Sequence, residues 1–187
     1  LPVTLARLTY GSAPEAIQAA LAAGIVGVGS VTDGAIELVA ALLYEMAETA
    51  DRLGISDEEA ARKTVAEFRR QKKKIPGLGH LYHKSGDPRA VRLFDLARRL
   101  GFEGRYVRLA RLLSQAASEA AGKEIPLNGA AAVASLYCEL GFPAQIAKAC
   151  AIVSLCAGVT GHLMEEMKNP MSRTLRAVIK DTVQFQE

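Results

Sequence analysis

Along most of this chain the apolar residues return every three or four positions, the spacing of an amphipathic helix, and no stretch alternates long enough to make a useful strand. Ser12-Ala13-Pro14-Glu15 reads as a capping box with an early proline and predicts a helix to about Ala23. Gly24 to Gly34 holds four glycines and reads as a loop. Helical spacing resumes at Ile36, Val39, Ala40, Leu43 and Met46 and runs to Leu53, where Gly54 stops it. Ser56-Asp57-Glu58-Glu59 is a second capping box, opening a helix that reaches Lys74. Further helices are predicted over Pro88–Leu100, Gly104–Ala121, Gly129–Leu140, Pro143–Ala157 and Val159–Lys168, with a terminal one over Met171–Val183. The pattern is all-α.

Composition sharpens this picture. The 187 residues are 50% hydrophobic and 23% charged, enough to bury the core of one globular domain. Trp is absent and aromatics make up only 5%, so Ala and Leu must fill the interior, which suits closely packed helices. The most apolar window, Ala149–Gly161, falls short of the ~20 residues that cross a bilayer and reads as a buried helix, with no membrane partner. Cys138, Cys150 and Cys156 are odd in number, form no CxxC pair and sit in apolar helical patterns, which points to free thiols in a reducing cytoplasm and not to a metal site.

The net charge of +3 is concentrated in Arg69, Arg70, Lys72, Lys73 and Lys74. No aromatic residue interleaves that run, so a nucleic-acid partner is not expected. Taken alone it reads as an ordinary solvated helix end, its cations complementing the helix dipole.

Directly after it comes Ile75-Pro76-Gly77-Leu78-Gly79-His80, and then Asp87-Pro88-Arg89. The glycines permit positive φ or a close approach of backbone to a ligand, and Pro76 stiffens the entry, so His80 sits on a defined turn. Asp87 suits an N-cap and Pro88 the first helical position, which places Arg89 in the first turn. A cation there is disfavoured by roughly 0.3–1 kcal/mol, so either a bound carboxylate or phosphate accounts for Arg89, or it is simply solvated. His83, three residues after His80, makes an HxxH metal pair conceivable, but no third ligand is evident. His162 follows Gly158 and Gly161 and precedes Glu165 and Glu166; taken alone it reads as a structural histidine.

The proline-glycine-x-glycine-histidine turn followed by aspartate-proline-arginine resembles the citrate synthase superfamily. Three further stretches are similar in the same order: Gly27–Leu43, Pro126–Pro143 and Ser154–Glu166. The resemblance leans toward the citryl-CoA lyase and ATP-citrate-lyase branch. It implies a multi-helix fold with a large domain and a small lobe at approximately 54–125, in a homodimer, with an N-terminal helical part of the family preceding the region that matches Leu1. It also implies coenzyme A or an acyl-CoA as co-substrate, its adenine held by the main chain of Ile75, Pro76, Gly77, Leu78 and Gly79 and its phosphates by Lys84 and nearby basic residues. His80 matches the histidine that polarises a ketone, and Arg89 a carboxylate-binding arginine. Asn128 and His162 fall at substrate-contacting segments.

The family's remaining catalytic groups transfer badly. An ungapped alignment from Pro126-Leu127-Asn128 to Leu140-Gly141-Phe142-Pro143 puts Ala130 where the proton-abstracting aspartate belongs. The second histidine would fall among Ser30, Val31, Thr32 and Asp33, and a further carboxylate-binding arginine is replaced by Leu155. Loss of that partner would cost a buried carboxylate about 3–5 kcal/mol, so efficient citrate synthesis is not expected. Asp33 is the nearest substitute acid or base, with an N-cap as its plain alternative; Glu37, one turn on, faces either the site or solvent. Three functions remain open: carbon–carbon bond cleavage or formation α to an acyl-CoA thioester, an inactive CoA- or carboxylate-binding regulator, and different acyl-CoA chemistry on a less charged substrate.

Overall fold

The computed structural model describes residues 1–29, 34–80 and 82–183. Among them the chain is all-α, as expected, with nine helices and no strand. They form two compact units: one of Leu1–Thr32 with Cys150–Glu187, the other Asp33–Ala149. The segment 54–125 lies wholly within the second.

In the first unit, α1 (Pro2–Tyr10) packs against α2 (Ile17–Val26). Here the pattern misleads. Ser12 caps nothing; its hydroxyl donates back to the Leu8 carbonyl (3.1 Å), the Ser12–Glu15 stretch is a turn, and α2 starts at Ile17 without a side-chain cap. Nor does the loop begin at Gly24, because α2 continues to Val26. Gly24 is buried, and a Cβ there would stand 3.3 Å from both Ala6 Cβ and Val159 Cγ1, so the glycine serves close packing.

The two helices predicted between Pro143 and Lys168 are one, α8 (Ala144–Lys168). Gly158 weakens a helix by about 1 kcal/mol but does not end one when no proline follows. At 25 residues α8 is long and apolar enough to cross a membrane by length and composition, unlike the shorter window judged from sequence. Nor is it buried: only 17% of its most apolar stretch is, and Val153 (72%), Met164 (56%) and Met167 (50%) stand exposed. Hydropathy reports which side chains leave water readily, not which neighbour covers them. Val159 and Leu163 form a small core with Ala6 and Ala20, against which Leu155 packs. Beside it Arg7, 7% exposed, donates through Nε to Glu166 Oε2 (2.6 Å) and through Nη1 to Glu165 Oε2 (3.2 Å). Burial alone would raise the Glu166 carboxyl, but hydrogen bonds from the Met171 amide, Arg7 and the Ser172 amide outweigh it and hold it below its ordinary value. The terminal helix, α9, is Ser172–Thr182.

The second unit contains α3 (Ala35–Leu53), α4 (Asp57–Arg70), α5 (Pro88–Arg99), α6 (Arg105–Ala121) and α7 (Gly129–Glu139). Val39, Leu43 and Met46 of α3 meet Val65, Leu109, Leu113, Ala131 and Ala134 in the main core. Alanines on α7 let it lie close to α3, which compensates for the missing large aromatics. The second capping box forms as expected, Ser56 Oγ accepting from the Glu59 amide (3.1 Å). Its helix stops at Arg70, short of Lys74, because Lys72 takes positive φ (54°). Arg105 clasps Asp51 and Asp57 (both 2.8 Å), tying α6 to α3 and α4.

Candidate active site

The Pro76–Gly79 turn is held from beneath by the segment that opens α7. Gly79 N donates to Pro126 O (2.7 Å), Asn128 N to Gly77 O (2.9 Å) and Asn128 Nδ2 to Gly79 O (2.9 Å), with an antiparallel bridge between Leu78 and Leu127. Both glycines have positive φ, 83° at Gly77 and 69° at Gly79. Gly77 is also buried, and a Cβ there would lie 2.8 Å from Val39 Cγ2 and 3.0 Å from Ala131 Cβ. The turn therefore sits directly on the core, and His80 leaves it in a fixed direction.

His80 Nδ1 accepts from the amides of Tyr82 (3.1 Å) and His83 (3.2 Å). A ring nitrogen that accepts carries no proton, so in the neutral imidazole the hydrogen is on Nε2. Nε2 lies 3.4 Å from Arg89 Nη2. With that tautomer both atoms are donors, and the geometry is satisfied by an acceptor oxygen shared between them. Arg89 reaches this place from the first turn of α5, where Asp87 caps the helix as expected.

His80, Arg89, Asn128 and Ala130 line one cavity of about 320 Å³, walled on its apolar sides by Ile36, Leu93 and Val133. Asn128 contributes with little freedom, since its Oδ1 caps α7 by accepting from Ala130 N (3.0 Å) and Ala131 N (3.2 Å). A second cavity of about 340 Å³ opens beside the same turn, with Phe68, Leu78 and Ile125 at its floor and Arg69, Lys73 and Lys74 around it. Lys84 is exposed.

Asp33 lies outside the described residues. Glu37 pairs with Lys148 (3.1 Å). His162 belongs to the other unit, half exposed, with Nδ1 3.3 Å from Glu165 Oε2. Leu155 packs on the small core of that unit. His83 stacks 4.6 Å from His80, and no group of three or more potential ligands gathers among the described residues. Sequence reasoning missed the second role of Asp87, whose buried carboxylate grips the Arg89 side chain; the signal was present in an acid two residues before an arginine across a proline.

Residues 3–178 match the family model described as citrate synthase, C-terminal domain. The chain belongs to the citrate synthase family. Within it, the chain is 30% identical over 145 residues to citrate synthase 2 of Bacillus subtilis (strain 168), an alignment covering 75% of this chain and 36% of that protein. The chain thus spans about a third of the length of this curated relative. Among solved structures it is similar to citryl-CoA lyase from Hydrogenobacter thermophilus (TM-score 0.85, 29% identity, 98% of this chain and 68% of that one). It is also similar to citrate synthase from Thermotoga maritima MSB8 (TM-score 0.70, 26% identity, 89% of this chain and 44% of that one). The citrate synthase-like fold expected from the glycine turn is therefore present.

Proposed function

We propose that this family member cleaves or forms a carbon–carbon bond α to an acyl-CoA thioester, in the manner of a citryl-CoA lyase. The observation that carries the reading is the convergence of His80 Nε2–H and the Arg89 guanidinium on one acceptor position, 3.4 Å apart. In the cleavage direction a base takes the proton of the substrate's hydroxyl, the bond to the thioester α-carbon breaks, and a keto acid and a thioester enolate result. The enolate then takes up the proton. His80 donates to the oxygen that carries charge, Arg89 anchors the neighbouring carboxylate, and Asp33 serves as base. Asn128, which lines the same cavity, contacts the substrate. CoA lies along Ile75–Gly79, with Lys84, Lys73 and Lys74 toward its phosphates; the cavity over Phe68 and Leu78 supports this by pairing an apolar floor with a basic rim. The exposed apolar face of α8 fits a second copy of the chain, making a homodimer in the cytoplasm.

A second reading, a binder without catalysis, is favoured by Ala130, which brings no carboxylate to the cavity it lines. A third, a less charged acid as substrate, draws on the Ile36, Leu93 and Val133 walls. One experiment separates them. The full-length protein is offered citryl-CoA, and separately acetyl-CoA with oxaloacetate, and products are followed by chromatography. Cleavage of citryl-CoA, falling by about 10²–10³ in His80→Ala, supports the lyase, with citrate synthesis very slow. Calorimetric binding of acetyl-CoA without turnover supports the binder, and absence of both refutes the CoA reading.

A further inference from the structure

The side chain that most shapes the cavity is not among those lining it. Asp87 is 1% exposed and receives four hydrogen bonds: from Arg89 N (3.0 Å), Arg89 Nε (3.0 Å), Arg89 Nη2 (2.7 Å) and Gly129 N (2.7 Å). An N-cap needs only the first of these. The other three join a cavity side chain to the opening turn of a different helix. Arg89 is a long side chain, 63% exposed, that would otherwise sample many rotamers. The fork of its Nε and Nη2 on one carboxylate removes that freedom. Gly129 completes the arrangement, because a Cβ there would stand 3.2 Å from Arg89 Cζ, Arg89 Nε and Asp87 Oδ2. A side chain at that position would press on the Arg89–Asp87 pair itself.

We infer that Asp87 is a positioning residue: its buried carboxylate presets the direction of the Arg89 guanidinium beside His80 and locks it to the α7 segment carrying Asn128. The inference rests on the reading of this cavity as a carboxylate site. The Asp87 charge does not serve the ligand directly; it opposes an anion. Its benefit is preorganisation, since the ligand meets a guanidinium already aimed. Two opposite outcomes of removing the charge are therefore possible, and they discriminate. If Asp87 merely masks Arg89, its neutralisation strengthens anion binding; if it positions Arg89, neutralisation weakens it.

Asp87→Asn is the informative substitution because asparagine caps a helix as well as aspartate does, while its Nδ2, itself a donor, cannot accept from Arg89 Nη2 or the Gly129 amide. Two measurements on the full-length protein are compared. The first is hydrogen exchange of the Arg89 Nε–H by ¹⁵N NMR, its resonance assigned by its loss in Arg89→Lys. The second is calorimetric titration with oxaloacetate, and separately with acetyl-CoA. Wild type should show an Arg89 Nε–H exchanging about tenfold or more slowly than solvated arginines, and Asp87→Asn should abolish that protection. Oxaloacetate should bind about tenfold more weakly to Asp87→Asn with acetyl-CoA unchanged, and the difference should vanish in an Arg89→Ala background. Equal or tighter oxaloacetate binding by Asp87→Asn, an effect that persists without Arg89, or an Arg89 Nε–H unprotected in wild type overturns the inference. Absence of oxaloacetate binding in wild type with the exchange signature intact refutes the carboxylate reading of the cavity while upholding the positioning of Arg89.

Discussion

Replacing Gly77 or Gly79 by alanine separates the two reasons a glycine can be required. Both residues have positive φ, so alanine at either pays the left-handed penalty of roughly 1–2 kcal/mol. At Gly79 no further contact adds to it, since among the described residues beyond its chain neighbours no atom lies within 4 Å of the new Cβ. At Gly77 the Cβ would stand 2.8 Å from Val39 Cγ2 and 3.0 Å from Ala131 Cβ, where contact needs about 3.5 Å or more. Val39 is a β-branched residue 1% exposed in the second turn of α3, and Ala131 has no torsion to rotate, so the overlap is relieved only by moving the turn or the helices. Overpacking of this kind costs a further ~1–3 kcal/mol, giving a total near ~2–5 kcal/mol for Gly77→Ala. Urea unfolding followed by far-ultraviolet circular dichroism at constant m-value measures both. Because His80 is carried on this turn, Gly77→Ala should also weaken oxaloacetate binding more than Gly79→Ala does. Equal losses of stability from the two substitutions would refute the claim that the turn rests directly on the core.

Three further outcomes follow from buried groups. The Asp87 and Glu166 carboxyls are held below their ordinary values, so their stabilisation is complete above about pH 5 and is lost as pH falls through the lowered native values. The acid limb of a stability–pH curve should flatten in Asp87→Asn and in Glu166→Gln, and an unchanged limb in both would refute the linkage. Arg7→Met leaves the 2%-exposed Glu166 carboxylate without its cation and should cost about 3–5 kcal/mol in urea unfolding, against much less for the double variant Arg7→Met/Glu166→Gln. Burial pushes the Cys138 thiol up to about 11, so in the native protein it should resist iodoacetamide at neutral pH and react only on unfolding, as mass spectrometry of the peptide would show.

Some local chemistry, with both halves of the interaction within one turn of helix, was readable in the sequence. The caps at Ser56 and Asp87, and the all-α pattern itself, depend on neighbours two to four residues away and formed as expected. Ser12-Ala13-Pro14-Glu15 carries the same signature and failed, because the Thr9 carbonyl accepts from Ala13 and closes a turn after α1 instead. Two equivalent local motifs thus gave opposite results, and the choice was made by what precedes them. The length of α8 and the exposure of its apolar face were likewise invisible to a window of hydropathy, which knows neither whether Gly158 is supported by its helix nor who covers Val153.

The candidate site divides in the same way. From the sequence alone came a histidine after a glycine turn, an arginine on the first turn of a helix, and a resemblance to the citrate synthase family. Tertiary structure decided that His80 Nδ1 is engaged by backbone amides, that Nε2 therefore presents its hydrogen toward Arg89, and that Asp87 holds the guanidinium there. The hydrogen bond from Asn128 to Gly79 spans 49 residues, and that from Gly129 to Asp87 spans 42. Periodicity and caps report energies within a single helix, whereas the direction in which a side chain points at a site is set by contacts between segments that the chain brings together only when it folds.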